Sequence, residues 1–480
     1  MEYEPVIGIE IHVELKTKSK RFSSAPCNFG QAPNSQTVPF DLAFPGTMPL
    51  VNKEAVSFAI KVCQALNRKI ARTLYFDRKN YFYPDLPKGF QITQQFHPIG
   101  TNGFVLLQIG GRQVKVGVNN AHIEEDTAKQ VHLSDISLLN FNRCGTPLIE
   151  IVSEPDRHSG EEARKYVEAI REIVTYLGVS DGKRENGSRR CDVNVSLKEK
   201  GSNVLGTKTE CKNLNTISNI QSAVEYEIKR QSEILSSGGK VEQETRRYDE
   251  AKKQTVLRRK KTNAVDYKYF REPNIVPIDL DEGFIYDAIH SRNKLPNEYR
   301  RELSKLGLGE YEIEELLKNQ DFVLYFSDCL SLGVKSLSTL WNYLRVDILG
   351  YLNKNSLPLS SLKFPKEYLV SLVNALTEEK INTKQAKQVL EERLSDGKNP
   401  LDIIKEKNRV QISSSSEIVK LVEDVLEKNP QAVYDHQHGK DHALGYLVGQ
   451  VRKLSHGKAN PGKAKEEIIK KIGICTRPGK

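Results

Sequence analysis

The chain has 480 residues, more than a single hydrophobic core usually supports, so two to four domains are expected. Its formal net charge of +10 indicates a polyanionic partner, and composition alone favours neither a nucleic acid nor an acidic protein surface. No secretory signal opens the sequence and no apolar run approaches the roughly 20 residues that span a bilayer, so we expect a cytoplasmic protein without a membrane segment. Seven scattered cysteines without a C-x-x-C pair argue against a disulfide framework and a zinc knuckle.

The first stretch with chemical character is a predicted strand near the amino terminus. With the two-residue period of a strand, its apolar face holds Ile7, Ile9, Ile11 and Val13, and its other face holds Gly8, Glu10, His12 and Glu14. Two carboxylates around one imidazole form a donor set that suits Mg²⁺ or Mn²⁺. The stretch is equally consistent with an edge strand of a half-exposed antiparallel sheet, so it does not decide between the two interpretations by itself.

Later segments repeat this one-sided pattern of polar residues. They are His122–Thr127, Pro147–Val152, Arg189–Leu197 and Gly206–Asn213. Glu150 stands alone in an apolar run, where an unpaired carboxylate would be strongly unfavourable. Taken singly, each segment is more often a half-exposed strand than a site. Together, several such strands in one sheet would bring His12 and six or more carboxylates to one face, which predicts a floor for a metal and a nucleotide.

The segment Tyr75–Phe90 mixes aromatic side chains with cations and ends in a Pro/Gly turn. Rings can stack on a base, and Arg78, Lys79 or Lys88 could neutralise phosphates. Neither a Walker A motif nor G-x-G-x-x-G occurs, so an ATP site here would be of an unusual kind. The alternative is an aromatic strand with solvated lysines, which composition alone slightly favours.

The pattern of the chain changes beyond about residue 290, where alternation gives way to helical spacing. We expect helices at Glu298–Leu308, Tyr311–Lys318, Phe322–Leu332 and Ser338–Leu352, a Ser-rich break at Ser413–Ser416, and further helices at Glu417–Lys428 and from Ala443 onwards. An earlier helix is expected between Asn52 and Leu66. The fold class is therefore α+β: a large mixed or antiparallel sheet domain over residues 1–292, an all-α domain over 293–407 and a small helical tail over 408–480.

The last thirty residues are basic. Their cations are Arg452, Lys453, Lys458, Lys463, Lys465, Lys470, Lys471, Arg477 and Lys480. Such a run is usually a solvated face. In a protein that handles RNA, salt-sensitive contact with the phosphate backbone becomes the better interpretation.

Several motifs, in the same order, resemble the family of B subunits of bacterial aspartyl/glutamyl-tRNA amidotransferases. They are Ile7–Leu15, Lys79–Lys88, Ile123–Asp126, Asn142–Glu150, Arg190–Ser196, Thr207–Asn215, Glu244–Arg246, Asp266–Phe270, Leu444–Val451 and Ala459–Pro461. The resemblance spans essentially the whole chain. It implies ATP- and Mg²⁺-dependent phosphorylation of the side-chain carboxylate of mischarged Glu-tRNA(Gln) or Asp-tRNA(Asn), followed by amidation with ammonia.

With this resemblance, we assign provisional roles to the polar residues of the sheet. The expected metal ligands are His12, Glu125 and Glu150, with Glu10 and Glu124 in close support. Asp192 and Glu210 are candidates for a second metal position or for holding water. Lys79, Lys88, Arg190 and Lys208 are candidates for phosphate contacts, with Tyr81 and Tyr83 near the base or the aminoacyl end.

No glutaminase centre is evident in the sequence. Ser23 and Ser24 lack a nearby base in a triad or Ser-Ser-Lys pattern, and no G-x-S-x-G elbow occurs, so loop capping is the favoured interpretation. A partner must then release ammonia, and the resemblance implies that it is the amidase A subunit, in a heterotrimer where a small C subunit holds the pair together. Two rival hypotheses remain: an RNA-binding scaffold without catalysis, and a self-contained ATP-dependent ligase acting on another acid.

Overall fold

The computed structural model describes residues 2–182, 189–260, 266–362, 364–396, 399–400, 402, 415–455 and 459–472. The chain divides into two compact units, Met1–Tyr299 and Arg300–Lys480. The first is built on a large mixed sheet with helices and the second is helical, which confirms the predicted α+β class. Among the helices within these ranges, none combines the length and the apolar character needed to cross a membrane.

Sixteen strands are described. They are β1 Tyr3–Glu14, β2 Lys69–Ile70, β3 Thr73–Leu74, β4 Asp77–Asn80, β5 Phe90–Thr93, β6 Gly100–Ile109, β7 Arg112–Glu125, β8 Lys129–His132, β9 Ser137–Asn140, β10 Pro147–Ser153, β11 Arg189–Glu199, β12 Thr209–Lys212, β13 Glu244–Asp249, β14 Gln254–Lys260, β15 Phe270–Arg271 and β16 Ile278–Asp279. Nine form one sheet in the order β14-β13-β12-β11-β1-β10-β7-β6-β2. Within it only β12 and β13 pair in parallel.

Strand β1 lies in the middle of this sheet, between β10 and β11. Its apolar residues Ile7, Ile9, Ile11 and Val13 are at most 1% exposed. The polar residues that alternate with them remain partly accessible. The predicted alternation is confirmed, and the edge-strand alternative is wrong because β1 has a partner on both sides.

Helices cover the apolar face of the sheet. They are α1 Lys53–Ala65, α2 Gly160–Tyr176 and α3 Ile217–Ser236, followed at the end of the unit by α4 Glu282–His290. Helix α1 matches its prediction, and the Asn52 side chain accepts a hydrogen bond from the Ala55 amide at its start. We did not predict α2 or α3. The start of α2 carries a recognisable signal, since Ser159 caps the amide of Glu162 in an S-x-x-E pattern.

The second unit begins within α5 and continues as helices. They are α5 Pro296–Lys305, α6 Glu310–Leu317, α7 Gln320–Ser331, α8 Leu337–Asn342, a π-helix Tyr343–Ile348, α9 Leu349–Lys354, a 3₁₀ turn Leu359–Ser361, α10 Lys366–Thr377 and α11 Thr383–Asp396. The four helices expected between residues 298 and 352 are confirmed, the last with a π-helical segment inside it. Trp341 is 6% exposed and belongs to the core.

Four helices follow near the carboxyl terminus. They are α12 Ser415–Lys428, α13 Pro430–Gln437, α14 Asp441–Leu454 and α15 Pro461–Ile472. They share an apolar core that includes Ile418, Val422, Leu447, Val451 and Ile468. The two helices predicted here are confirmed. Of the predicted features, Ser413, Ser414, Lys458, Arg477 and Lys480 lie outside the described residues.

Candidate catalytic and metal-binding site

Strand register brings a histidine-carboxylate cluster together at the middle of the polar face. His12 of β1 pairs with Glu150 of β10, and Glu150 pairs with His122 of β7. Residues that pair directly across adjacent strands point to the same face of a sheet. Glu124 follows His122 by two residues and therefore shares that face.

The side chains of these residues are in contact. His12 Nε2 lies 3.1 Å from Glu124 Oε1 and 3.3 Å from Glu150 Oε2. On the other side of Glu150, the same oxygen lies 3.1 Å from His122 Nε2. The donor atoms of His12, Glu124 and Glu150 all lie within 4.8 Å of one another. Two carboxylates and one imidazole at this spacing fit a hard divalent cation such as Mg²⁺ or Mn²⁺.

The charges of the cluster are strongly coupled. Burial disfavours the imidazolium of His12, but Glu150 and Glu124 outweigh it and raise the His12 pKa well above its usual value. Burial likewise disfavours ionised Glu150, yet His122 and His12 hold its pKa well below the ordinary range. The His122 pKa is raised because Glu150 outweighs burial there too. The Glu150 carboxylate is thus kept ionised, as a metal ligand must be.

His122 was not predicted as a site residue. It bridges Glu150 and Asn120, whose Oδ1 lies 3.1 Å from His122 Nδ1. The signal was present, because His122 and Glu124 alternate with apolar Ile123 just as Glu10 and His12 alternate with Ile11. The adjacent acids Glu124 and Glu125 obscured this period.

Glu125, expected as a metal ligand, does not join the cluster. Neighbouring residues of a strand point to opposite faces, so Glu124 reaches His12 and Glu125 turns away. Glu125 Oε2 accepts a hydrogen bond from Lys88 Nζ at 2.8 Å, and its Oε1 accepts one from the Ile92 amide at 3.0 Å. Lys88 and Glu125 therefore form a buried ion pair, with both side chains at most 5% exposed.

Three other expected carboxylates extend the polar face away from the cluster. Glu10 Oε1 accepts a hydrogen bond from Asn194 Nδ2 at 3.1 Å. Asp192 and Glu210 share Lys212, whose Nζ lies 2.5 Å from one and 3.3 Å from the other. Burial, with the charges of Glu150 and Asp192, raises the Glu10 pKa. These residues continue the polar surface across β11 and β12.

Lys79 and several tyrosines form an aromatic border next to the cluster. Lys79 Nζ lies 5.0 Å from the centre of the Tyr267 ring and 6.0 Å from that of Tyr81. Burial opposes the charge of Lys79, but Glu124 and nearby groups including Tyr269 and Glu150 outweigh it and raise its pKa. A cation bordered by rings beside the carboxylates is suited to a nucleotide, whose base stacks and whose phosphates need positive charge.

The remaining expected residues lie around this centre. Arg190 contacts Asp126 at 3.0 Å and so lies at the start of β11 beside the cluster. Lys208 is exposed in the segment before β12, and Tyr83 is 65% exposed. Tyr83 and Lys88 line one open cavity together with Phe82 and Gly89. The structure thus brings together His12, Glu124, Glu150 and Lys79, and leaves Tyr83 and Lys208 at the surface.

Comparison with known proteins gives a consistent result. Residues 5–286 match the model of the GatB/GatE catalytic domain, and residues 324–472 match that of the GatB domain. The B subunit of the aspartyl/glutamyl-tRNA(Asn/Gln) amidotransferase of Geobacillus kaustophilus is 46% identical over 475 residues, covering 98% of this chain and 100% of that protein. The protein of the same name from Bacillus velezensis is 45% identical over 474 residues, covering 98% and 99%. The chain belongs to the GatB family.

Proposed function

We propose that this chain is the component of a tRNA-dependent amidotransferase that activates and amidates the side-chain carboxylate of Glu-tRNA(Gln), Asp-tRNA(Asn) or both. The observation that carries the proposal is the cluster of His12, Glu124 and Glu150 on an open polar sheet face with Lys79 beside it. The relatives named above bear the name of this reaction. The enzyme is a ligase that forms a C–N bond and works in the cytoplasm.

His12, Glu124 and Glu150 would hold Mg²⁺ in this reaction. When bound, the ion offsets the negative charge of the ATP phosphate oxygens. His122 is a positioning residue for Glu150, because its Nε2 contacts the carboxylate on the side away from His12. Asp192 and Glu210 remain candidates for a second cation or for ordered water, although Lys212 neutralises both as they stand.

The cations of the site would bind the phosphates. Lys79 is the leading candidate, since it lies next to both the carboxylates and the rings of Tyr81 and Tyr267. Arg190 and Lys208 are candidates for the same role from the other side. Lys88 can contribute only when its ion pair with Glu125 opens. Tyr81 and Tyr83 offer ring faces to the base or to the aminoacyl end.

The chemistry requires placement more than proton transfer. The acceptor carboxylate is ionised at neutral pH, so it attacks the γ-phosphorus of ATP without a general base and releases ADP. Ammonia then attacks the acyl carbon, phosphate leaves and one proton is lost, which gives the amide. A polar face that fixes phosphates and aminoacyl end together supplies the orientation both steps need.

Ammonia would come from a second protein. Ser23, the best-placed serine of its loop, donates to Asp41 at 2.8 Å, and Asp41 is held by Lys20, so this hydroxyl has a structural role. We therefore infer a glutamine-hydrolysing amidase, the A subunit, as partner, with a small C subunit completing a heterotrimer. The tRNA body would bind the helical parts of the chain, with residues 293–407 as the helical domain and the basic residues 408–480 as the tail domain.

The test is amidation with ammonium. Purified chain, ATP, Mg²⁺ and Glu-tRNA(Gln) should yield Gln-tRNA(Gln) when ammonium is added, and the chain alone should release no ammonia from glutamine. The reaction should stop when Mg²⁺ is chelated and resume when it is restored. Glutamine hydrolysis by the chain alone, or absence of ammonium-dependent product, would contradict the proposal.

A further inference from the structure

Strands β8 and β9 form a small ribbon of their own, separate from the large sheet. Val131 pairs with Leu138, and the Leu133 amide donates to the Ile136 carbonyl at 2.8 Å across the turn. Directly paired residues share a face, so these four aliphatic side chains lie together on one side of the ribbon. We call this surface the ribbon face.

The ribbon face is exposed. Val131, Leu133, Ile136 and Leu138 have exposed fractions of 40%, 52%, 57% and 51%. The opposite side carries polar groups, among them His132, whose Nδ1 lies 2.9 Å from Ser137 Oγ. A two-stranded ribbon is marginal in water unless one face packs against something, and a one-sided exposed apolar surface marks an interaction site.

The base of the ribbon is held firmly. Asn34 Nδ2 donates to the Leu139 carbonyl at 3.1 Å, and Asn34 Oδ1 accepts from the Phe141 amide at 2.7 Å. At the other end, Asp126 forms ion pairs with Arg143 and Arg190. A surface that is fixed in advance loses less entropy when it binds a partner.

The ribbon is inserted between β7 and β10, the strands that carry His122, Glu124 and Glu150. The chain leaves the cluster at Glu125, forms the ribbon and returns to the cluster at Pro147. Whatever covers the ribbon face is therefore tied to the two strands of the reacting centre.

Charge distinguishes the kinds of occupant. Within residues 129–140, Lys129 and Asp135 cancel, and the only other titratable group is His132. RNA binding requires cations for phosphates or aromatic rings for bases, and the ribbon face offers neither. Aliphatic side chains on a rigid, uncharged strand pair instead fit the apolar core of a protein interface.

We propose that the ribbon face is a docking surface for the protein that supplies ammonia. This inference rests on the proposed function, which leaves glutamine hydrolysis to a second protein and needs that protein beside the carboxylate centre. The partner should present an apolar patch to Val131, Leu133, Ile136 and Leu138. A second copy of this chain and RNA are the alternative occupants, and the experiment separates them.

The experiment compares the double variant Leu133→Asp/Ile136→Asp with a matched control, Leu205→Asp. Leu205 is 59% exposed in the segment between β11 and β12, so the control adds an acid at an equally accessible leucine away from the ribbon. Affinity for the purified glutaminase is measured with the full-length chains, together with amidation driven by glutamine and by ammonium.

The double variant should bind the glutaminase at least about tenfold more weakly than the wild type and the control. Its glutamine-dependent amidation should fall in parallel while ammonium-dependent amidation remains at the wild-type level. Unchanged affinity for the glutaminase would overturn the proposal. So would loss of tRNA affinity alone, or a wild-type homodimer that the double variant abolishes. Absence of ammonium-dependent product in every chain, wild type included, would instead overturn the proposed function.

Hydrogen exchange of the wild-type chain provides a second test that needs no substitution. Amides of residues 129–140 should exchange at least about tenfold more slowly once the glutaminase is bound, because docking closes the local opening of the ribbon. Unchanged exchange in the ribbon, with protection elsewhere, would place the interface on another surface.

Discussion

Glu150 lies between two imidazoles, His12 on one side and His122 on the other. In Glu150→Gln the side chain keeps its shape but loses the charge that a cation and both imidazoles require. We expect ATP cleavage driven by mischarged tRNA to fall about a hundredfold or more. The measurement is the initial rate of ADP release at saturating tRNA and Mg²⁺.

Glu154→Gln is the matched control for that substitution. Glu154 follows β10 but contacts Asn119 at 2.8 Å outside the cluster. Its replacement should leave the rate within about twofold of the wild type, as surface changes usually do. An equal loss in both variants would show that the effect comes from general damage to β10.

Glu124 and Glu125 are neighbours with different expected roles. Glu124→Gln removes a donor from the cluster, so the Mg²⁺ concentration for half-maximal ATP cleavage should rise about tenfold or more. Glu125→Gln leaves the buried Lys88 without its anion and should destabilise the first unit by about 3 kcal/mol, with a smaller change in Mg²⁺ dependence. Titration with Mg²⁺ and thermal unfolding of both variants distinguish the roles; a larger Mg²⁺ shift in Glu125→Gln would reverse them.

At this scale the sequence predicts which residue types meet, but not every individual. His12 and Glu150 were identified because each is a polar residue in an apolar, alternating strand. The choice between Glu124 and Glu125 depends on which of two adjacent acids shares a face with His122. That choice follows from the burial of Ile123 in the folded sheet, which is 0% exposed.

Strand β1 positions the site as an element. Its buried residues pack on the helix-covered side and so hold Glu10 and His12 on the polar side. Ile11→Ala leaves a cavity directly behind the cluster and should destabilise the first unit by about 3 kcal/mol. Val204→Ala, at a residue that is 77% exposed, should change stability by less than about 0.5 kcal/mol. Thermal unfolding checks both, and equal stability of the two variants would contradict the assigned packing.

Alternation alone predicted the large sheet but not its covering helices. β1 could be recognised because one residue type occupies each face for a whole strand. Helices α2 and α3 have weaker periodicity in sequence, since Arg164, Glu168 and other charged residues interrupt their apolar face. Their position became clear only from the back of the sheet, whose apolar residues need to be covered.

On the scale of the whole molecule, the four carboxyl-terminal helices have a core of their own. Basic residues there include Arg452, Lys453 and Lys465, and a chain ending at residue 407 would lack them. We expect this truncation to weaken tRNA binding about tenfold or more at low salt and to reduce its salt dependence. ATP cleavage stimulated by a minimal aminoacylated acceptor stem should persist. Equal tRNA affinity of both chains in a salt titration would contradict a role of the tail in RNA binding.

The central claim is that the polar sheet face activates the carboxylate of a mischarged tRNA with ATP. The most direct measurement is ADP release by the wild-type chain with Mg²⁺ and its amidase partner, comparing Glu-tRNA(Gln) with uncharged tRNA. We predict that ADP appears only with the mischarged tRNA and in step with Gln-tRNA formation. Binding of tRNA without ADP release would contradict the claim and favour a scaffold whose acidic strands are structural.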